Sequence, residues 1–143
     1  IGGRIQDEGP DGDCVVGDPS QQHIFIAGGI GITPYHSILL DLDRRGLPLH
    51  VTLLYGNRTA DFVYKSELEA LAAKHPSFRI HYFVEPERID EAALRRIIPD
   101  LGKPLYYISG PEPMVEAFEK MLAGIGIPEG RVKRDYFPGY DWP

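Results

Sequence analysis

Three glycines in four positions, Gly28-Gly29-Ile30-Gly31, close the apolar run Ile24-Phe25-Ile26-Ala27, and Ile32-Thr33-Pro34 follows at once. A short unbroken apolar run suits a strand covered on both faces of a parallel sheet. Glycines after such a strand permit positive φ and let the backbone approach a ligand with no Cβ between them. Thr33 is a good helix N-cap and Pro34 a good first helical residue. Unpaired N–H groups and the positive end of a helix dipole are therefore expected to face the turn. The chemistry on offer is the binding of an anion, above all a phosphate. The spacing is not G-x-G-x-x-G, because Pro34 stands at the third glycine, and no G-K-[ST] makes it a P-loop. By itself the turn leaves two readings open, a nucleotide site and a tight connection without a ligand.

The same logic recurs at Ser109-Gly110-Pro111-Glu112-Pro113-Met114, again a small residue, a glycine and a proline opening a helix. Three further polar segments stand where strands are expected to end. They are Tyr55-Gly56-Asn57-Arg58-Thr59 with Lys65 and Glu67 beyond it, Glu85-Pro86-Glu87-Arg88, and Asp135-Tyr136-Phe137-Pro138-Gly139-Tyr140. No Ser-His-Asp or paired-carboxylate pattern accompanies them. The five histidines, His23, His36, His50, His75 and His81, have no metal-binding spacing and read as surface or strand-end residues. The single cysteine, Cys14, excludes an internal disulfide and a four-cysteine iron–sulfur cluster within this sequence, and points to a reducing, cytoplasmic setting.

The elements that must position these segments alternate. Strands are expected at about residues 23–27, 50–55, 79–84, 104–109 and 131–135. Between them, 34–45 carries Ile38, Leu39 and Leu42 at helical spacing and stops at Gly46; 64–74 carries Leu68, Leu71 and Ala72 and ends before Pro76. Asp90 can cap a short helix with Ala93, Leu94 and Ile97, and 111–123 places Met114, Val115, Phe118, Met121 and Leu122 on one face before Gly124 and Gly126. This alternation predicts an α/β, doubly wound, five-stranded parallel sheet in the order 3-2-1-4-5 with helices on both faces. Ligands of such sheets bind outside the carboxyl ends of the strands, where the strand order reverses.

With 143 residues, 43% hydrophobic and 25% charged, the chain has room for one domain with a sizeable core. A net charge of -6 without a basic stripe argues against nucleic acid as a partner, and the Arg131-Val132-Lys133-Arg134 cluster reads as the solvated face of an edge strand. No apolar stretch approaches a membrane span. The first residue is Ile1, and the Gly-, Asp- and Pro-rich opening gives the sequence the look of a piece of a longer chain.

Taken together, the two glycine motifs resemble the nucleotide domain of the ferredoxin-NADP reductase family, which includes cytochrome b5 reductase and dioxygenase reductases. The family's G-x-G-x-T-P turn, which holds the cofactor pyrophosphate, corresponds to Gly29-Ile30-Gly31-Ile32-Thr33-Pro34, and its Cys-Gly-Pro-x-x-Met to Ser109-Gly110-Pro111-Glu112-Pro113-Met114. The resemblance covers about residues 22–143. It implies that residues 21–143 form an NAD(P)-binding domain and that 1–20 are the remnant and exit loop of a flavin-binding barrel otherwise missing here. It further implies hydride transfer from a reduced nicotinamide to FAD on that barrel, then one-electron delivery to an acceptor that the sequence leaves unidentified. Ser109, where the family usually has cysteine, and Phe137, where it places an aromatic shielding the flavin, would stand at the reacting rings. Gly28, Gly29, Gly31, Ile32, Thr33, Pro34, Tyr55, Asn57, Arg58, Thr59, Lys65, Glu85, Gly110, Pro111 and Met114 would hold the dinucleotide. Serine keeps a small hydrogen-bonding group there but lacks the polarisable sulfur.

For Tyr55 and Phe137 packing roles remain open beside the cofactor roles, and Arg58 and Lys65 also fit solvated surface charges. A free ribose diol is served by a carboxylate, and a 2'-phosphate by cations. Glu85 therefore favours NADH, whereas Arg58 and Lys65 leave NADPH possible. A nucleotide-binding or sensing module without its own redox activity is the competing reading, because fold alone does not fix function.

Overall fold

A computed structural model describes residues 21–136. Five strands alternate with four helices: β1 His23–Gly28, α1 Ile32–Arg44, β2 Val51–Asn57, α2 Lys65–Lys74, β3 Arg79–Val84, α3 Glu91–Ile97, β4 Leu105–Gly110, α4 Glu112–Ile125 and β5 Val132–Tyr136. All pairings are parallel and the order is β3-β2-β1-β4-β5, as the alternation predicts.

Period-two alternation along the strands feeds two cores. Phe25 and Ala27 of β1, with Leu53 and Tyr55 of β2, meet Ile32, Tyr35, Leu39 and Leu42 of α1 and Leu68 and Leu71 of α2. Ile24 and Ile26, with Leu54 of β2 and Tyr106 and Ile108 of β4, meet Ala93 and Leu94 of α3 and Val115 and Leu122 of α4. Strand β1 is therefore buried on both faces, which is why its sequence is unbroken apolar. Register carries the strand ends to one edge, where Gly28 pairs with Gly56 and Gly56 with Phe83, while Ala27 pairs with Ser109.

Some local readings differ from the structure. Helix α1 starts at Ile32 out of a 3-10 turn over Gly29–Gly31, so its N-cap is Gly31 and not Thr33, and Pro34 is its third residue. Proline is tolerated there because first-turn N–H groups have no intrahelical partner. Of the three turn glycines only Gly29 has positive φ, +54°. Gly124 lies within α4, and Gly126, at φ 107°, ends it. His23, at the start of β1, is buried, and His36 stacks on the Tyr64 ring at 3.7 Å with Nε2 2.9 Å from Glu67. Asp90 caps α3 as expected, accepting from the Ala93 N–H at 2.9 Å.

Asp43 links the ends of the two helices on one face, 2.7 Å from His75 Nε2 and 2.9 Å from Lys74 Nζ. Hydrogen bonding from His75, then from Lys74, holds its carboxyl below the ordinary value of 3.8. A depressed carboxylate pKa contributes stability that is present above the unfolded-state value and is lost as pH falls through the folded-state value. The stability difference between the wild type and Asp43→Asn should therefore be full above about pH 5 and shrink toward pH 2, as read from urea unfolding across that range. A difference independent of pH would contradict this role.

Candidate functional site

A cleft of about 770 Å³ opens at the carboxyl ends of β1, β2 and β3 on the α3/α4 face. That is within the usual size of small-molecule sites. Its floor is Ala27, Gly28, Gly29 and Gly56. Phe83 and Ile89 on one side and Met114, Phe118 and Met121 of α4 on the other give it apolar walls. Asn57, Arg58, Glu85, Glu87, Arg88 and Asp90 supply the polar rim.

Rim groups differ in how far they are already committed. Asp90 caps α3, and the Asn57 side-chain amide donates to the Asp61 carbonyl at 3.0 Å, which folds the loop after β2 back on itself. Glu87 Oε1 is 3.5 Å from the Val84 N–H. Among the described residues, the charged groups of Arg58, Arg88 and Glu85 make no ion pair or hydrogen bond, and all three residues are exposed. Two cations and a carboxylate thus face the cleft uncommitted. The Glu85–Pro86 peptide is cis.

At the head of the cleft, β1 turns into α1. No side chain caps α1, so its first-turn N–H groups meet no side-chain acceptor. The turn is wedged against β4. A Cβ on Gly31 would overlap the Ser109 carbonyl oxygen and come within 3.0 Å of Gly110 Cα. Alternation along β4 puts Ser109 on the same face as Tyr107, the face that α1 covers. The Ser109 hydroxyl is buried and has no hydrogen-bond partner. Buried polar groups are nearly always paired, so such a hydroxyl, like the uncapped helix start, marks a place where a ligand can complete the bonding. The turn stands between an open cleft on one face of the sheet and this hydroxyl on the other.

The structure brings Gly28, Gly29, Asn57, Arg58, Glu85, Pro111 and Met114 to the cleft. It does not bring the rest there. Ile32 and Pro34 pack inward from α1, Gly31 and Gly110 lie where the ends of β1 and β4 meet, and Thr33 is exposed on the first turn. Tyr55 is buried among Phe62 and Tyr82, its hydroxyl donating to the Val63 carbonyl at 3.1 Å. Burial pushes the pKa of that hydroxyl up to about 12, so it stays protonated. Thr59 accepts from the Asp61 N–H, and the Lys65 ammonium lies 5.3 Å from the Tyr82 ring centroid. Phe137 lies outside the described residues. Arg88, which the sequence places in a strand-end polar segment but not among the dinucleotide-holding residues, and Ile89, which it does not mark, join the cleft from the loop that carries Glu85. Their nearness to the end of β3 is the signal that could have found them. Phe118 and Met121, whose spacing marks them only as part of the apolar face of α4, line the cleft too.

The chain belongs to the oxidoreductase NAD-binding domain family, which it matches over residues 25–120. It is 33% identical to the phenoxybenzoate dioxygenase subunit beta of Ectopseudomonas oleovorans, over all of this chain and 43% of that protein. It is 34% identical to the reductase component of phenol 2-monooxygenase from Pseudomonas sp. strain CF600, over 82% of this chain and 37% of that one. The cytochrome b5 reductase domain of Ulva prolifera nitrate reductase superposes with a TM-score of 0.69 at 29% identity, covering 80% of this chain and 48% of that one. The cytochrome P450 reductase of Amycolatopsis gives 0.70 at 27% identity, covering 90% and 42%. The chain spans less than half the length of these proteins.

The two glycines of the turn differ in what they tolerate. Gly31→Ala should destabilise the fold by about 1–3 kcal/mol through overpacking against β4. Gly29→Ala meets no atom within 4 Å and should cost only the left-handed backbone penalty, about 1–2 kcal/mol. Urea denaturation of both variants checks the ranking; equal, small losses would show that β4 yields.

Proposed function

We propose that this domain binds NADH across the β1–α1 turn and presents its nicotinamide to a flavin held by a preceding domain of the same protein, for onward one-electron delivery to an acceptor. One observation carries the reading. An uncapped helix start stands between a cleft on one face of the sheet and a buried, unpartnered hydroxyl on the other. A two-ended ligand with a central pyrophosphate suits that layout, because the anion meets the helix start and each end has its own surroundings.

The residues fit such a ligand. Phe83, Ile89 and Phe118 offer apolar surface for a base, Glu85 can accept from ribose hydroxyls, and the Ser109 hydroxyl can bond a carboxamide or ring substituent at the other end. When bound, a reduced nicotinamide supplies hydride and a flavin accepts it, so this chain's side chains serve placement and exclusion of water rather than covalent catalysis. The chain spans less than half the length of its relatives, which leaves room in the whole protein for a flavin domain, and residues 1–20 would be the exit segment of that domain. The single cysteine supports a cytoplasmic setting. Among the described residues no helix is long and apolar enough to cross a membrane.

Two outcomes follow. Removing the Glu85 carboxylate as Glu85→Ser should shift preference toward NADPH by about 1 kcal/mol, or several-fold in the ratio of the two dissociation constants from calorimetry. A wild type that prefers NADPH, with the ratio unmoved by the substitution, would give the choice to Arg58 and Arg88. The 143-residue chain alone should carry little FAD and reduce ferricyanide poorly with NADH. Purification with stoichiometric FAD would overturn the assignment of flavin binding to another domain.

A further inference from the structure

Met114 and Met121 are the chain's two methionines, and both line the cleft. Only Met114 is clasped. A Cβ on Gly28 would lie 2.9 Å from Met114 Cε and overlap its Sδ, and a Cβ on Gly110 would lie 2.7 Å from Sδ and 3.4 Å from Cε. The thioether therefore fills the space that side chains at the ends of β1 and β4 would occupy, packed against main chain of both. It is only half-buried, so its outer side is open to the cleft. No glycine of the described residues clasps Met121 in this way.

We propose that Met114 is a peroxide-sensitive modification site, and that its oxidation closes the β1–α1 turn to dinucleotide. This rests on the cleft being the dinucleotide site. A sulfur lone pair attacks one oxygen of hydrogen peroxide, and the S–O bond forms as the O–O bond breaks. The proton on the transferred oxygen passes to the departing hydroxide, which leaves as water. Sulfur is oxidised by two electrons and the peroxide is reduced. The product is a polar sulfoxide where an apolar thioether was. Gly28 and Gly110 leave it no room on their side, so the new oxygen either projects into the cleft or drives the side chain out of the clasp. Both outcomes act at Gly28-Gly29: the first sets the negative end of an S–O dipole beside the anion's place, and the second fills the floor. By linkage, a ligand that excludes the sulfoxide also protects the thioether from oxidation.

The test treats the protein with dilute hydrogen peroxide, reverses any oxidation of Cys14 with dithiol, maps both methionines by peptide mass spectrometry and titrates NADH by fluorescence. Sulfoxide at Met114 should track a loss of affinity of about tenfold or more, reversed by methionine sulfoxide reductases. Saturating NADH should slow oxidation of Met114 more than of Met121. In Met114→Leu, whatever its starting affinity, peroxide should leave binding unchanged, whereas Met121→Leu should remain sensitive. Full oxidation of Met114 with affinity unchanged, oxidation of Met121 while Met114 resists, or loss of affinity persisting in Met114→Leu would each overturn the proposal. The untreated titration reports separately on the proposed function: absence of binding there removes that reading and this coupling with it.

Discussion

The close approach of two strand ends governs this structure. Where β1 leaves the sheet into α1, its backbone passes against the Ser109 carbonyl at the end of β4, near enough that Gly31 cannot carry a Cβ without displacing it. Strand β1 lies between β2 and β4, and the chain leaves β1 and β4 toward opposite faces, with α1 on one and α4 on the other. The sheet edge opens at that divergence. Helix N-termini, glycine main chain and the strand-end loops face one another there, as expected at the switch point of a doubly wound sheet. A side chain at position 31 would press on the main chain at the end of β4, so either the turn or that strand end must shift to admit it.

The chemistry follows from what this approach leaves unsatisfied. A helix start without a side-chain cap and a buried hydroxyl without a partner stand on either side of the turn, and in the proposed complex a ligand with an anionic centre and polar ends would complete both. In the proposed complex the charged rim would add selectivity. Arg58 and Arg88 on two loops and Glu85 on one of them line the cleft, and there they would discriminate between a phosphate and a diol. A protein that positions cofactors has little need of a nucleophile or a proton relay, and the sequence carries neither pattern.

Much of this was legible in the sequence because strand and helix periods differ and the breaks between them are chemically marked. Ile24–Ala27, a short apolar run closed by a glycine turn, suits a strand buried on both sides, and Asp90 is recognisable as a cap from its position before an apolar helical pattern. The start of α1 was not legible. Thr33 and Pro34 have the right types for a cap and a first residue, but a 3-10 turn over Gly29–Gly31 feeds the helix two residues earlier. The glycines were right for a partly wrong reason. Gly29 does need positive φ, whereas Gly28 and Gly31 are glycine because Met114 and the β4 main chain occupy the space beside them. Such long-range contacts leave no local signature. The same holds for Tyr55 and Lys65, which lie near strand ends in sequence yet turn toward Phe62 and Tyr82 on the face away from the cleft.

The central claim is that the β1–α1 turn is the pyrophosphate seat of a dinucleotide lying across the sheet edge. Amide chemical-shift mapping of the isotopically labelled protein during an NADH titration tests it most directly. The largest shifts should fall on the main-chain amides of residues 28–33, with a second group at Asn57, Arg58, Glu85 and Glu87 to Ile89 and a third at Ser109 and Gly110. Saturable shifts that leave residues 28–33 unmoved, or that gather instead in the groove between α4 and β5 around Glu116, Lys120 and Val132, would contradict it.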